Sequence, residues 1–377
     1  MFGQDCQFVL HYNSKRNSYF ERAIFIALSY FYTMKSFTYF FAFFFTINGI
    51  CQQQVTFDFN GQSRSYILYT PPNMPSGLRP LVFNFHGYTN NMNFQMTYSE
   101  MNNVADVGKF YVVYPQGLPD QNGINHWNAW QDPTDVDDIG FIDALLSYLI
   151  ATEAVDPARV YSCGFSNGGI FSYALAGQLS NRFAAVASVS GTMTEAMLQN
   201  LNPSRAVPTF HIHGNLDLVV PFDGSPGQYP TFGVLTSVSE TLNFWNTNNA
   251  CSAIGNTQSI TNTNVFDLCT ASKTIYNNCN EHDNWYIEIT GGGHTWPGTT
   301  PLTVTGNTCQ DFDGSQEIWN FFSSITLPAY LENLHPFEAR PVKYFDFQGR
   351  KVENGETQTG FFIVEYSDGT RKKFYRN

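Results

Sequence analysis

The segment Gly164-Phe165-Ser166-Asn167-Gly168 sets one serine between two glycines, with the apolar run 159–163 before it and a second apolar stretch after it. A serine hydroxyl is a weak nucleophile at neutral pH. It attacks a carbonyl when a histidine takes its proton and a carboxylate orients that histidine. A sharp strand-to-helix turn supplies the geometric part of this need, because glycines two residues to either side let strand and helix approach closely around the serine. The helix that follows turns its unpaired N–H groups and positive dipole end towards the oxyanion that forms on attack. The chemistry these residues point to is acyl transfer through a covalent acyl-enzyme.

On such a turn the acid and then the base follow the serine along the chain, each on a loop after a strand. His294, which follows the strand-like run 285–290 and three glycines, is the expected base; His282 precedes that run and His335 sits among prolines. Asp217, just beyond the run 209–214, is the expected acid, and Asp223 lies further along the same loop. Asp137 and Asp138 precede Ser166, so chain order removes them from that role and they read as caps of the next helix. Two backbone N–H groups are expected to form the oxyanion hole, that of Asn167 after the serine and that of Tyr88 in the loop after the run 80–87. His86 in that loop reads as a hydrogen-bonded shaping residue. His211 and His213, two apart on one strand, share a face, and Asp217 would make a third metal ligand. Neutral histidines buried against helices are the simpler reading, and neither metal nor cofactor is expected. Trp127, Trp130 and Trp296 have the amphipathic character to line an acyl or sugar subsite.

Elements of two kinds must position these groups. Residues 53–70 alternate apolar and polar on both sides of Asn60-Gly61, a hairpin signal. Short apolar runs at 80–87, 110–117, 159–165, 184–191, 209–214 and 285–292 read as buried parallel strands. Helical stretches are expected around 96–107, over 139–152, after Gly168, at 234–246 and over 315–323, the last with Asp313 as N-cap and Gln316 as capping-box partner. The Asp-Phe-Asp-Gly-Ser segment at 311–315 lacks the later ligands of a calcium loop. Strand and helix alternating in this way give a doubly wound α/β sheet. Over 328–341 the pattern lapses into a linker with three prolines. Residues 342–377 then read as a short β tail with a hairpin at Asp368-Gly369, too small to hold a core alone.

The 377-residue chain carries 31 acidic and 19 basic residues, a net charge of -12 that argues against electrostatic binding of nucleic acid. Met34-Lys35, an apolar run, and Gly49 and Cys51 before Gln52 have the layout of a signal peptide at 34–51, which leaves 1–33 as a leader of unassigned role and 52–327 as the catalytic domain. A membrane anchor is the alternative, since 23–32 is also apolar, but Lys35 interrupts the run. Export exposes the cysteines to an oxidising compartment, so two disulfides among Cys251, Cys269, Cys279 and Cys309 are expected, in any of three connectivities. Cys163, within a strand pattern, reads as a small buried hydrophobe.

With these residues placed, the chain resembles the polyhydroxybutyrate depolymerase and feruloyl or acetylxylan esterase family of secreted α/β-hydrolases. The matching segments are FHGYTNN, WNAWQDPTDVDDIGFIDAL, VDPARVYSCGFSNGGIFSYALA, HIHGNLDLVVPF and GGGHTWPG, spread over 78–322. The resemblance implies the α/β-hydrolase fold with a mostly parallel sheet, metal-free esterase chemistry at Ser166, Asp217 and His294, and an ester substrate that is polymeric in some members. It implies a disulfide from Cys251 to Cys279, leaving Cys269 and Cys309 as a second pair. Tyr88 stands where the depolymerase branch often carries cysteine, which turns the expectation towards feruloyl or acetyl esters of plant polysaccharide. The tail resembles a type IX secretion sorting domain, through FDFQGRKV and GFFIVEYSDGTRKKF, and implies secretion machinery as a partner. A peptidase, and a noncatalytic exported binding protein, are the other uses of such a fold.

Overall fold

The computed structural model describes residues 53–129, 136–224, 233–301 and 305–328, together with tail strands at 341–346, 351–352, 360–366 and 371–376. The leader and signal expectations over 1–51, Trp130, His335 and the Asp368-Gly369 turn lie outside them.

Strands β1 (Gln53–Phe59) and β2 (Gln62–Tyr69) form the expected hairpin. Asn60 and Gly61 both have positive φ, 53° and 80°, as a two-residue turn matched to strand twist requires. Next come β3 (Arg79–Phe85), helices α1 (Met92–Ser99) and α2 (Met101–Gly108), and β4 (Tyr111–Pro115). The single helix expected around 96–107 is two, broken where Glu100 takes a left-handed conformation at φ 51°. The chain continues through α3 (Asp138–Thr152), β5 (Val155–Phe165), α4 (Asn167–Gln178), β6 (Ala185–Val189), α5 (Glu195–Asn200) and β7 (Thr209–Gly214). Helix α6 (Val238–Asn248) opens on a capping box between Ser237 and Glu240 and starts four residues later than the sequence pattern placed it. Strands β8 (Asn256–Ser259), β9 (Thr270–Tyr276) and β10 (Asn284–Thr290) and helix α7 (Gly314–Phe322) complete the main body. Asp313 caps α7 as expected, but the Gln316 side chain bonds Asn320 instead of closing a capping box.

The ten strands lie in one sheet, in the order β1-β2-β4-β3-β5-β6-β7-β10-β9-β8. The six from β4 to β10 run parallel, and an antiparallel pair flanks them on each side. Period-two alternation sorts their side chains onto two faces. Leu81, Phe83 and Phe85 meet α3 and α4 on one face, while Val82, Tyr161, Cys163 and Phe165 meet α1, α2 and α7 on the other. Each such large apolar side chain, fully removed from water, stabilises the fold by about 2–3 kcal/mol before entropy opposes it. A doubly wound, mostly parallel sheet follows, covered on both faces.

Chain order reverses between β3 and β5: β4 lies on one side of β3, while β6, β7 and β10 extend away from β5. In open α/β sheets the crevice beyond the carboxyl ends of the strands at such a switch is where ligands bind. The tail forms a separate four-stranded antiparallel sheet, β12 (Lys351–Val352), β11 (Pro341–Asp346), β13 (Gly360–Tyr366) and β14 (Arg371–Arg376). No helix among the described residues is long and apolar enough to cross a membrane.

Candidate active site

Ser166 lies between the end of β5 and the start of α4, at φ 54° and ψ -119°. A side-chain-bearing residue in this region stores roughly 1–3 kcal/mol of strain, sustained only by a surrounding that leaves it no alternative. The backbone provides that surrounding. Ser166 N–H donates to the Val189 carbonyl at 2.8 Å, and the Ser166 carbonyl accepts from Gly169 and Ile170 at 2.9 and 3.0 Å. The two glycines are there for space. A Cβ on Gly164 would stand 2.5 Å from the Gly168 carbonyl group and 2.9 Å from the Phe85 oxygen, and one on Gly168 would overlap the carbonyl oxygens of Phe85 and His86. The ends of β3 and β5 are thus pressed together under the serine.

The loop after β3 is fixed by His86. Its Nδ1 lies 2.8 Å from the Gly87 carbonyl, and its Nε2 accepts the Gly117 N–H at 2.9 Å. Burial lowers its pKa to about 4, so the ring is neutral and shapes the loop, as expected. Asn167 follows the serine, and Tyr88 follows Gly87, where an added Cβ would stand 3.3 Å from the Ser166 Cβ. The Tyr88 hydroxyl donates to Asp120 at 3.1 Å. The fully buried Asn167 side chain clamps the backbone of Trp127 from both sides, accepting its N–H at 2.7 Å and donating to its carbonyl at 3.1 Å.

That clamp corrects one expectation. Trp127 is 1% exposed, stacked on Phe171, with its indole N–H bonded to the His86 carbonyl. Trp296 is fully buried, and its indole N–H reaches Ser315. Both are interior packing residues, not the lining of a subsite. Asp138 is a second correction. Asp137 caps α3, accepting from Gly140, but Asp138 is buried in an ion pair with Arg64 at 2.6 Å and accepts the Asn128 N–H at 2.9 Å. Burial raises the Asp138 carboxyl pKa against the pull of Arg64, and the pair anchors the loop that carries Trp127.

Beyond β7 and β10 the two other expected residues meet. Asp217 Oδ2 lies 2.7 Å from His294 Nδ1, with Asp217 and His294 respectively 3% and 4% exposed. Asp217 Oδ1 accepts the N–H groups of Val219 and Val220 at 2.8 and 2.9 Å. Burial works to raise the carboxyl, yet the His294 contact, His213 and the Val220 N–H together hold its pKa below the usual value. His294 packs its ring on Phe165, the neighbour of Ser166, with centroids 4.7 Å apart. Asp223 is exposed, and His282 bonds Ser324 and packs on Phe321, so the structure brings neither to His294. The nitrogens of His211 and His213 are engaged with each other at 3.1 Å and with Tyr173 and Val220.

Cys251 and Cys279 form a disulfide, joining the end of α6 to the end of β9. Cys269 and Cys309 do not pair. Each is a buried free thiol whose pKa is pushed up, by burial first, to about 11 and about 12 respectively, so both remain protonated. Among the described residues one trio, Asp267, Cys309 and Asp311, gathers metal-ligand atoms within 4.8 Å. Its carboxylates already accept the backbone N–H groups of Thr263, Asn264, Cys269 and Gln310, which makes it a loop fastening.

Fold and site together define an α/β-hydrolase. Residues 64–202 match the family model described as Esterase PHB depolymerase. The chain is 30% identical over 261 residues to "Putative esterase NocK" of Nocardia uniformis subsp. tsuyamanensis, an alignment covering 64% of this chain and 72% of that protein. It is also 30% identical over 182 residues to the bifunctional acetylxylan esterase/xylanase XynS20E of Neocallimastix patriciarum, covering 48% of this chain but 25% of that longer protein. An acetyl xylan esterase from Aspergillus awamori shares the fold, with a TM-score of 0.51 and 18% identity over 72% of this chain and 99% of that one. The chain belongs to this family of esterases.

Proposed function

We propose that the protein is a serine carboxylic-ester hydrolase with Ser166 as nucleophile, His294 as general base and Asp217 as the acid that orients it. The observation that carries this reading is the buried 2.7 Å contact between Asp217 and His294 Nδ1, beside the strained turn of Ser166. A carboxylate at Nδ1 leaves Nε2 as the basic nitrogen, which takes the serine proton on attack and returns it to the leaving alcohol. The N–H groups of Asn167 and Tyr88 stabilise the oxyanion, and water then releases the acyl group by the same route.

The substrates are acetyl or feruloyl esters of plant polysaccharide, by analogy with acetylxylan esterase relatives and with the family resemblance at the motif level. Polyhydroxybutyrate is the second reading, favoured by the description of the matched family. Export is part of the proposal: residues 34–51 act as a signal peptide, 52–327 as the catalytic domain, 328–341 as a linker and 342–377 as a sorting tail. The Cys251–Cys279 disulfide supports an oxidising destination.

The test is hydrolysis of p-nitrophenyl acetate by the full chain, wild type beside Ser166→Ala. A fall of at least about a thousandfold is expected. Methyl ferulate, acetylated xylan and polyhydroxybutyrate then rank the substrates. A folded wild type no faster than the variant would overturn the esterase reading in favour of a binding protein. Mass spectrometry of the exported product should find Gln52 at its N-terminus.

A further inference from the structure

Three buried side chains that the proposed chemistry does not use run in a line towards Asp217. Tyr173 OH lies 2.8 Å from His211 Nδ1, His211 Nε2 lies 3.1 Å from His213 Nδ1, and His213 Nε2 lies 2.9 Å from the Val220 carbonyl and 3.4 Å from Asp217 Oδ2. All three are at most 1% exposed. The partners fix every proton. A carbonyl only accepts, so His213 Nε2 carries hydrogen; the neutral ring then accepts at Nδ1 from His211 Nε2–H, and His211 Nδ1 accepts from the tyrosine hydroxyl. Burial lowers the pKa of both rings, which keeps them neutral and the direction of donation single.

The line joins two parts of the site. Tyr173 stands on α4, the helix that begins immediately after Ser166. Val220 belongs to the turn whose N–H groups hold Asp217 Oδ1, so His213 grips the far side of the turn that orients the carboxylate. Period-two geometry of β7 puts both histidines on the α4 face, where their rings stack at 14° with centroids 5.2 Å apart.

Resting on the Ser166–Asp217–His294 reading, we propose that His213 is a positioning residue for ester hydrolysis: held through His211 and Tyr173 to the nucleophile's helix, it fixes the Asp217 turn and presents an N–H edge to Oδ2. It acts through Asp217 and touches no substrate. Its loss therefore lowers kcat, leaves KM nearly unchanged, and does so only while Asp217 is a carboxylate.

The experiment measures kcat and KM for p-nitrophenyl acetate in full-length wild type, Ser166→Ala, His213→Leu, His213→Gln and Asp217→Asn, and in the double variant His213→Leu/Asp217→Asn, each checked for folding by its thermal transition. His213→Leu should lose about 10-fold or more in kcat with KM within about 2-fold, because coupled neighbours in one network show interaction energies of this size. Glutamine keeps an N–H donor at the same reach and should recover most of the loss. In the Asp217→Asn background, His213→Leu should change kcat by less than about 2-fold. A folded His213→Leu as active as wild type, with Ser166→Ala inactive, would overturn this role and leave the esterase reading standing. A loss carried in full into the Asp217→Asn background, or absent rescue by glutamine, would show a general packing effect and overturn it equally. A wild type no faster than Ser166→Ala removes both.

Discussion

Around Ser166 the chain is held backbone to backbone, whereas around Asp217 and His294 main-chain contacts are joined by a buried line of side-chain contacts. On the serine half, carbonyls of Phe85, His86 and Gly168 crowd the places where Gly164 and Gly168 would carry Cβ atoms, and main-chain bonds to Val189, Gly169 and Ile170 hold a strained φ. On the other half the backbone is also tightly packed, since a Cβ on Gly214 or Gly293 would meet the Gly292 or Thr305 carbonyl, but the side chains are placed in addition by a buried line of polar contacts through Tyr173, His211, His213, Asp217 and His294. Neither arrangement tolerates an added atom at its glycines; the second in addition tolerates no missing donor or acceptor. Steric exclusion suits the proposed nucleophile, whose angle of approach is critical. Polar matching suits a pair whose proton location is critical.

The largest expected effect breaks the polar half. Asp217→Asn keeps an oxygen for the Val219 and Val220 N–H groups, so its NH2 must face His294 Nδ1 and force the hydrogen onto Nε2, removing the base. Steady-state kinetics should show kcat down about 10⁴-fold, roughly 5 kcal/mol of barrier. Gly168→Ala breaks the steric half in the opposite sense. Its methyl has nowhere to go against two carbonyl oxygens, and denaturant titration should show a loss of more than about 3 kcal/mol or failure to fold.

A third test uses pH on the serine half. His86 has a folded pKa of about 4, lowered by burial from the ordinary 6.5. Between those values the unfolded chain binds a proton that the folded chain refuses, so this contribution is complete above about pH 6.5 and is lost as pH falls towards 4. It amounts to roughly 3 kcal/mol. His211 and His213 are shifted in the same direction. Urea midpoints at pH 7 and pH 4 should differ accordingly, and His86→Gln, which keeps an acceptor for Gly117 N–H, should shrink the difference. An undiminished difference would assign the acid sensitivity to the other half. The smallest effect is a gain: Ser166→Gly relieves the left-handed strain and should stabilise the fold by about 1 kcal/mol, read as a raised midpoint, while abolishing the nucleophile.

The two halves also differed in how far they could be read from sequence. The serine turn is local, five residues with their glycines, and strand before and helix after complete the signal. Asp217 and His294 required only that each follow a strand in the right chain order. The line behind them did not show: His-Ile-His is visible as spacing, but Tyr173 lies 38 positions before His211 and carries no motif. The tryptophans are ambiguous in sequence for a related reason. An indole that lines a cleft and one that packs a core look alike in sequence, and the difference rests on distant partners, the His86 carbonyl and Ser315. Asp138 looks like a cap in sequence because Arg64, 74 positions away, is invisible to local pattern. The break at Glu100 has neither glycine nor proline to announce it. The strands β8 and β9 escaped because a polar edge hairpin lacks the apolar periodicity by which strands are found.

That hairpin ends the sheet with four residues, Asn256, Thr257, Gln258 and Ser259, all exposed and none apolar. An unpaired strand offers its amides to any extended chain that drifts past, and how sticky it is depends on what a newcomer could bury there. The strand's own side chains offer it almost nothing, and the apolar surface nearby belongs to Ile254, Val265, Phe266 and Leu268 in the flanking loops. Extension of the β-ladder at this margin would therefore be rewarded by main-chain bonds alone, since no side chain of the strand itself gains by being covered.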